Sequence, residues 1–163
     1  MEILFRHATT DDLPDIVRML ADDFLGESRE QYEDPLPESY VKAFRDIEAD
    51  PNNELIVVEF GKAGDVSHDS DAGIIGTMQL TFTPSVSFQG GKRATIESVR
   101  VDARYRGRGI GEQMMRWAIG RAKEKGCISV QLTTNLERKD AHRFYERLGF
   151  APSHLGMKLK LRQ

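Results

Sequence analysis

The sequence predicts an α/β domain of the α+β kind, a mixed and mostly antiparallel sheet flanked by helices with one parallel strand pair. Three observations lead there. Apolar residues alternate between the two-residue repeat of strands and the 3.6-residue repeat of helices, in the order β-α-α-β-β-β-α-β-α-β. A strand over 94–101, a crossover helix and a strand over 128–133 imply a parallel pair. The 163 residues, 39% of them hydrophobic, suit a single domain over 1–163 with its own core.

Each element has its own signal. Ile3–Arg6 reads as a short first strand. Thr9 or Thr10 can cap a helix over Asp12–Leu25, where Leu13, Ile16, Val17 and Leu20 fall at helical spacing. Pro35 and Pro37 lead into a helix over Glu38–Ala49 carrying Tyr40, Val41, Phe44 and Ile47. Glu54–Phe60 is a strand, Gly61–Asp71 a polar loop, and Ala72–Phe82 and Ala94–Val101 are strands with a turn at Gly90-Gly91 between them. Gly109–Glu124 is an amphipathic helix with Ile110, Met114, Ala118 and Ala122 at four-residue steps, closed by Gly126. Ile128–Thr133 is a strand, Lys139–Leu148 a helix closed by Gly149, and Met157–Leu161 a last strand.

Composition narrows the function classes. A single cysteine, Cys127, rules out an intrachain disulfide and points to a reducing compartment. The N-terminus has no signal-peptide pattern, and no apolar run approaches the roughly 20 residues that span a bilayer, so the expectation is a cytoplasmic protein without membrane partners. The net charge of −3 and the lack of an aromatic-rich basic stripe speak against nucleic acid. Charge is also asymmetric: residues 1–54 carry 15 acidic and 5 basic side chains, whereas residues 55–163 carry 11 and 18. That dipole suits either simple solubility or two ligands of opposite sign.

The most informative segment is Arg106–Gly111, RGRGIG, between a strand and a helix. Gly107, Gly109 and Gly111 allow a tight turn and close approach of a ligand. The free N–H groups of the first helical turn converge with the positive end of the helix dipole behind them, and Arg104, Arg106 and Arg108 add charge. A pyrophosphate fits that chemistry. A P-loop would need Lys-Ser or Lys-Thr where Glu112-Gln113 stand. A dinucleotide fingerprint would need glycine at 112, and an acid at the end of the next strand where Thr133-Thr134-Asn135 stand. A glycine-rich turn that merely packs strand on helix is the structural alternative.

Arg106-x-x-Gly109-x-Gly111 resembles the R/Q-x-x-G-x-G/A element of the GCN5-related N-acetyltransferases, the GNAT family. IESVRVDARYRG before it resembles their fourth strand and its exit. Asn135–Phe150, with FYERLGF, resembles the exit of their fifth strand and the helix after it. Asp140-Ala-His-Arg-Phe-Tyr followed by Ser153-His154 is more weakly similar to the aminoalkylphosphonate N-acetyltransferases. The resemblance implies acetyl-CoA as cosubstrate, bound between the splayed fourth and fifth strands, and direct acetyl transfer to a primary amine in a ternary complex. A non-catalytic acyl-CoA sensor or interaction module is the alternative.

The site residues implied are these. Tyr145 would be the general acid for the departing thiolate, or else a core aromatic. Glu97, on an unbulged strand, shares a face with Thr95, Val99 and Val101; it would help take a proton from the amine, or else pair with Arg100 or Arg93. Val99 and Val101 would offer backbone groups to pantetheine and the thioester carbonyl, or else take part in ordinary ladder pairing. Arg106, Gly107, Arg108, Gly109, Ile110 and Gly111 would hold the pyrophosphate. Asn135 would bond the pantetheine arm or simply serve its turn. No metal is expected: His142, His154 and Asp140 read as solvated or structural, and Cys127 as a structural thiol.

The acceptor is a small-molecule or peptide amine, and the protein a monomer or homodimer. Glu27, Glu30, Glu33, Asp34 and Glu38 lie in the region that forms the acceptor entrance in the family, which favours a cationic acceptor, or else they form a solvated acidic face with no role in selection. The aminoalkylphosphonate resemblance favours an anionic one.

Overall fold

The computed structural model describes residues 2–61 and 73–162, so the loop expected over Gly61–Asp71 lies, except for Gly61, outside the described residues. Strands β1 (Glu2–His7), β2 (Asn53–Gly61), β3 (Ile74–Thr83), β4 (Lys92–Val101) and β5 (Cys127–Gln131) form one sheet in sequence order. The first four are antiparallel neighbours, and β4 and β5 are parallel. Helices α1 (Leu13–Ala21) and α2 (Glu38–Ala49) precede β2. A single turn, α3 (Ser87–Gly90), links β3 to β4, α4 (Ile110–Glu124) is the crossover, and α5 (Lys139–Arg147) follows β5.

The alternating strand pattern gives the sheet two apolar faces. On one, Ile56, Val58, Met78, Leu80 and Ile96 pack against Ile110, Met114, Met115, Ala118 and Ala122 of α4. On the other, Val57 and Ile74 pack against Leu13, Ile16 and Met19 of α1 and Phe44 of α2. Gly76 lets α4 approach β3: a Cβ there would lie 2.9 Å from Met114 Sδ. Glu54 of β2, 4% exposed, accepts bonds of 3.0 and 2.6 Å from Arg121 and so anchors the far end of α4. A bidentate pair of this kind fixes orientation as well as adding attraction.

Two expectations are corrected. The first helix ends at Ala21 and not at Leu25, because Asp23 accepts bonds from the Leu25 and Gly26 N–H groups at 2.9 and 2.6 Å and turns the chain. Among the described residues, Met157–Leu161 pairs with no strand. Its apolar alternation is intact, but no neighbouring edge among the described residues takes it up. The turn at Gly90-Gly91 is present, with Phe88 and Gln89 in the left-handed region beside Gly90.

Candidate active site

Asp102, 1% exposed, fixes the exit of β4. It accepts bonds from the Arg104 backbone and guanidinium at 2.9, 2.9 and 2.8 Å, and from Arg18 of α1 at 2.9 Å. The Arg104 bonds, with Arg18 adding to them against the cost of burial, hold its carboxyl well below the usual range. The chain then makes the turn that the glycines allow. Gly107 and Gly109 have φ of 75° and 76°, and a Cβ at either would meet nothing within 4 Å, so that side of the turn is open. The first α-helical bond of α4 runs from the Gln113 N–H to the Gly109 carbonyl at 3.2 Å. The N–H groups of Ile110, Gly111 and Glu112 precede it and are available to a ligand.

These groups border a cleft of about 560 Å³ lined by Val101, Tyr105, Arg106, Gly107, Gly109, Ile110, Gly111, Glu112, Phe144, Arg147 and Leu148. Six residues singled out from sequence thus meet in one cleft: Val101, Arg106, Gly107, Gly109, Ile110 and Gly111. Arg108 borders it through Tyr105, its guanidinium 5.5 Å from the ring centroid. The expected arginine triad is corrected. Arg104 is spent on Asp102, and Arg106 binds the Val101 carbonyl at 3.0 Å and the Asp22 carboxylate at 3.2 Å. Arg108 and Arg147 have no acidic partner among the described residues. Sequence reading missed Arg147; its signal is the helical spacing from Phe144, which points both at the cleft.

The β4–β5 ladder extends only over Lys92–Thr95 and Cys127–Gln131. Beyond Thr95 the two strands part, leaving the stretch with Val99 and Val101 without a neighbour on the β5 side. The Val101 carbonyl takes the Arg106 bond, and the Val99 carbonyl takes one from Arg100 at 2.9 Å. The strand also carries a bulge that sequence did not reveal. Gln79 lies opposite Glu97 and Thr77 opposite Arg100, with Ser98 at φ 54° taking up the extra residue. The unbulged face assigned to Glu97 is therefore wrong: past Ser98 the alternation shifts by one, and Val99 and Val101 leave its face. Glu97 is exposed and pairs with neither Arg100 nor Arg93.

Tyr145 of α5 is half-buried, edge-on to Phe144 and Phe150 at centroid distances of 5.2 and 5.9 Å. Burial pushes its hydroxyl up, while Arg100 and Arg138 pull the other way. Those arginines form a cluster. Asp23 binds Arg138 at 2.6 Å and Arg100 at 3.2 Å. Burial raises the Asp23 carboxyl, but Arg138, the Gly26 N–H and Arg100 outweigh it and hold it at about 2. Burial lowers Arg100, and although Asp23 opposes this, Arg138 and Arg29 lower it further. Its Nε is buried without a hydrogen-bond partner. The charge acting on Tyr145 is thus positive, while Glu30 of the acidic loop is engaged by Arg29 at 3.0 Å and the Tyr40 hydroxyl at 2.9 Å.

Asn135 caps its turn, accepting the Glu137 N–H at 2.9 Å, and its carbonyl lies 2.8 Å from His142 Nε2. His154 Nδ1 lies 2.7 Å from Ser153 Oγ, and Asp140 pairs with Arg143. Among the described residues no group of three or more acids, histidines or cysteines could hold a metal, and no helix is long and apolar enough to cross a membrane. Burial pushes the Cys127 thiol up, with Lys92 and Lys125 opposing, which disfavours a nucleophilic thiolate.

The family model described as Acetyltransferase (GNAT) matches residues 17–150. A solved structure described as a transcriptional regulator from Bacillus halodurans C-125 is 52% identical, with a TM-score of 0.89 over 98% of this chain and 100% of that one. An aminoalkylphosphonate N-acetyltransferase of Salmonella typhimurium is 42% identical over 59 residues, 36% of this chain and 38% of that protein. A glucosamine 6-phosphate N-acetyltransferase of Trypanosoma brucei brucei is 32% identical over 94 residues, 58% of this chain and 62% of that protein. The match thus spans less than two thirds of either relative's length. With the glycine turn, the parted β4–β5 pair and a family match across most of its length, the chain belongs to the GNAT acetyltransferase family, whose donor is acetyl-CoA.

Proposed function

We propose that the protein transfers the acetyl group of acetyl-CoA to a primary amine by direct attack in a ternary complex. The observation that carries this reading is the open turn at Gly107 and Gly109, placed where β4 and β5 part and beside the helix that bears Tyr145. In it, the first-turn N–H groups, Arg108 and Arg147 hold the pyrophosphate, with Arg106 shaping the turn from Val101 to Asp22. Backbone groups at Val99 and Val101 take the pantetheine arm and polarise the thioester carbonyl. Asn135 has its carboxamide nitrogen left for the same arm.

The neutral amine attacks the thioester carbon, and the C–S bond breaks as the tetrahedral adduct collapses. Glu97 receives the ammonium proton through water, and Tyr145 protonates the thiolate. The raised Tyr145 hydroxyl suits that role, because it is still protonated when the thiolate leaves.

The acceptor carries an anionic group as well as the amine. Arg100 and Arg138 share the single Asp23 carboxylate beside Tyr145, so an anion there gains from an unbalanced positive charge and from the unpartnered Arg100 Nε. The relatives named for aminoalkylphosphonate and glucosamine 6-phosphate point to the same class. The acidic loop then loses the selecting role that its composition suggests. An aminoalkylphosphonate, glucosamine 6-phosphate and spermidine should be compared by thiol release at low and high salt. The anionic amines should have the lower KM, rising with salt. Preference for spermidine, weakening as salt rises, would restore the cationic acceptor.

A second reading, a non-catalytic acyl-CoA sensor, is favoured by the description of the 52% identical protein as a transcriptional regulator. Coenzyme A binding without turnover of any amine would select it.

A further inference from the structure

The face of the sheet that α1 and α2 cover holds a second cavity, of about 100 Å³. Ile16, Val17 and Leu20 of α1, Phe44 of α2 and Leu55 of β2 wall it, and no charged residue among the described ones lines it. Its floor is the β4 bulge, with Thr77 and Gln79 of β3 beside Ser98. The polar groups there are already engaged. Thr77 Oγ1 donates to the Ile56 carbonyl at 3.0 Å, and the Gln79 amide nitrogen donates to Asn53 at 3.1 Å. The Tyr40 hydroxyl, also at the wall, donates to Glu30 at 2.9 Å. A buried water needs two to four polar partners, so this space suits an apolar group. A charge would lose its hydration there with nothing in return. Ala43 and Ser98 at the rim are exposed, so the cavity opens to solvent.

Two ladder pairs tie this cavity to the reaction. Thr77 lies opposite Arg100, and Gln79 lies opposite Glu97. Residues opposite one another on antiparallel strands share a face, with Cβ atoms about 4.5–5.5 Å apart. Glu97 and Arg100 therefore stand on the cavity's side of the sheet and flank its floor. The proposed reaction gives the ammonium proton to Glu97 and the acceptor's anion to Arg100. A carbon that presents its amine to the one and its anion to the other has a further substituent to place, and the cavity lies between the two. The coenzyme does not compete for this space: the turn that holds its pyrophosphate opens α4, which packs on the opposite face.

We propose, on the reading that Arg100 receives the acceptor's anion, that this cavity takes a short aliphatic branch of the acceptor, so that one carbon carries the amine, the anion and an alkyl group. The volume sets the size of the branch. At roughly 30 Å³ for a water-sized group, about three or four carbons fit, which is an isopropyl or isobutyl branch. Three different groups held at three places on one carbon also fix its handedness, so one enantiomer is preferred.

The test is a series of 1-aminoalkylphosphonates with no branch and with a methyl, an isopropyl, an isobutyl and a benzyl branch, assayed by thiol release with acetyl-CoA. kcat/KM should rise about fourfold per branch carbon up to isopropyl or isobutyl, and fall at benzyl. One enantiomer of the isopropyl compound should carry nearly all of its turnover. Ala43→Leu fills the rim from an exposed helical position and should lower kcat/KM for the isobutyl compound far more than for the unbranched one. Calorimetry with coenzyme A present should give the same order of affinities without turnover. A series that is flat, or falls from the first methyl, would overturn the proposal and leave acetyl transfer standing. So would a gain that follows the acyl donor, butyryl-CoA over acetyl-CoA, with the amines all alike. Graded binding without turnover of any compound would uphold the cavity's role and overturn acetyl transfer. Neither turnover nor graded binding would overturn both.

Discussion

Gly109 separates stability from ligand binding. It sits at φ 76° and ψ 5°, just before α4. A residue with a Cβ pays about 1–2 kcal/mol in that left-handed region. No atom lies within 4 Å of where the Cβ would be, so Gly109→Ala should cost that strain and nothing for a clash. For a domain of this size the loss is a fall in Tm of roughly 2–8 °C, at about 2–4 °C per kcal/mol. Gly109→Asp should cost no more, since Asp is among the residues that tolerate this left-handed conformation. Its carboxylate, however, occupies the place of a phosphate. Wild type with coenzyme A at about 100 times its Kd should gain roughly 2.7 kcal/mol, or about 5–11 °C. Gly109→Ala should keep most of that gain and Gly109→Asp should lose it. Thermal melts with and without coenzyme A measure both quantities. A full ligand shift in Gly109→Asp would refute the placement of the pyrophosphate at this turn.

Other outcomes follow from the same geometry. Tyr145→Phe should lower kcat by about 10²–10⁴-fold, with little change in coenzyme A affinity measured by calorimetry. Because burial raises the Tyr145 hydroxyl, the wild-type rate should show no loss of this acid below about pH 10 in a pH–rate profile. Glu97→Gln should move the acidic limb of that profile; an unchanged limb would remove Glu97 from the mechanism. Arg100→Gln should raise KM for an anionic amine far more than for a neutral one. Stability should fall on acidification: the depressed carboxyls of Asp12, Asp23, Glu54 and Asp102 contribute above the ordinary carboxyl range and lose that contribution as pH falls through it, Asp23 at about 2 and Asp102 lower still. Melts between pH 6 and about 2 would check the sign.

The legible parts of this fold are the ones that local chemistry decides. The α4 stripe of Ile110, Met114, Ala118 and Ala122 is buried as its spacing requires, and Gly107 and Gly109 of the turn adopt the positive φ that only glycine takes easily. What escaped the sequence depends on contacts between distant segments. Asp23 ends α1 partly because Arg100 and Arg138 hold its carboxylate, from positions remote in the chain. The bulge at Ser98 has no glycine to announce it, so nothing local warns that Glu97 and Val99 part company. Counting arginines near the turn could not reveal that buried Asp102 claims Arg104. The alternation over Met157–Leu161 reads as a strand, but a strand needs a paired edge, and the alternation alone does not say whether one is in reach.

The most direct test is turnover by the purified protein with acetyl-CoA and a panel of anionic, neutral and cationic primary amines. Thiol release and the acetylated amine should be measured together. One acetylated amine should appear for each thiol released, fastest with an amine bearing a phosphonate or phosphate, and strongly reduced in Tyr145→Phe. Acetyl-CoA bound but not consumed above its hydrolysis background with any amine would contradict it.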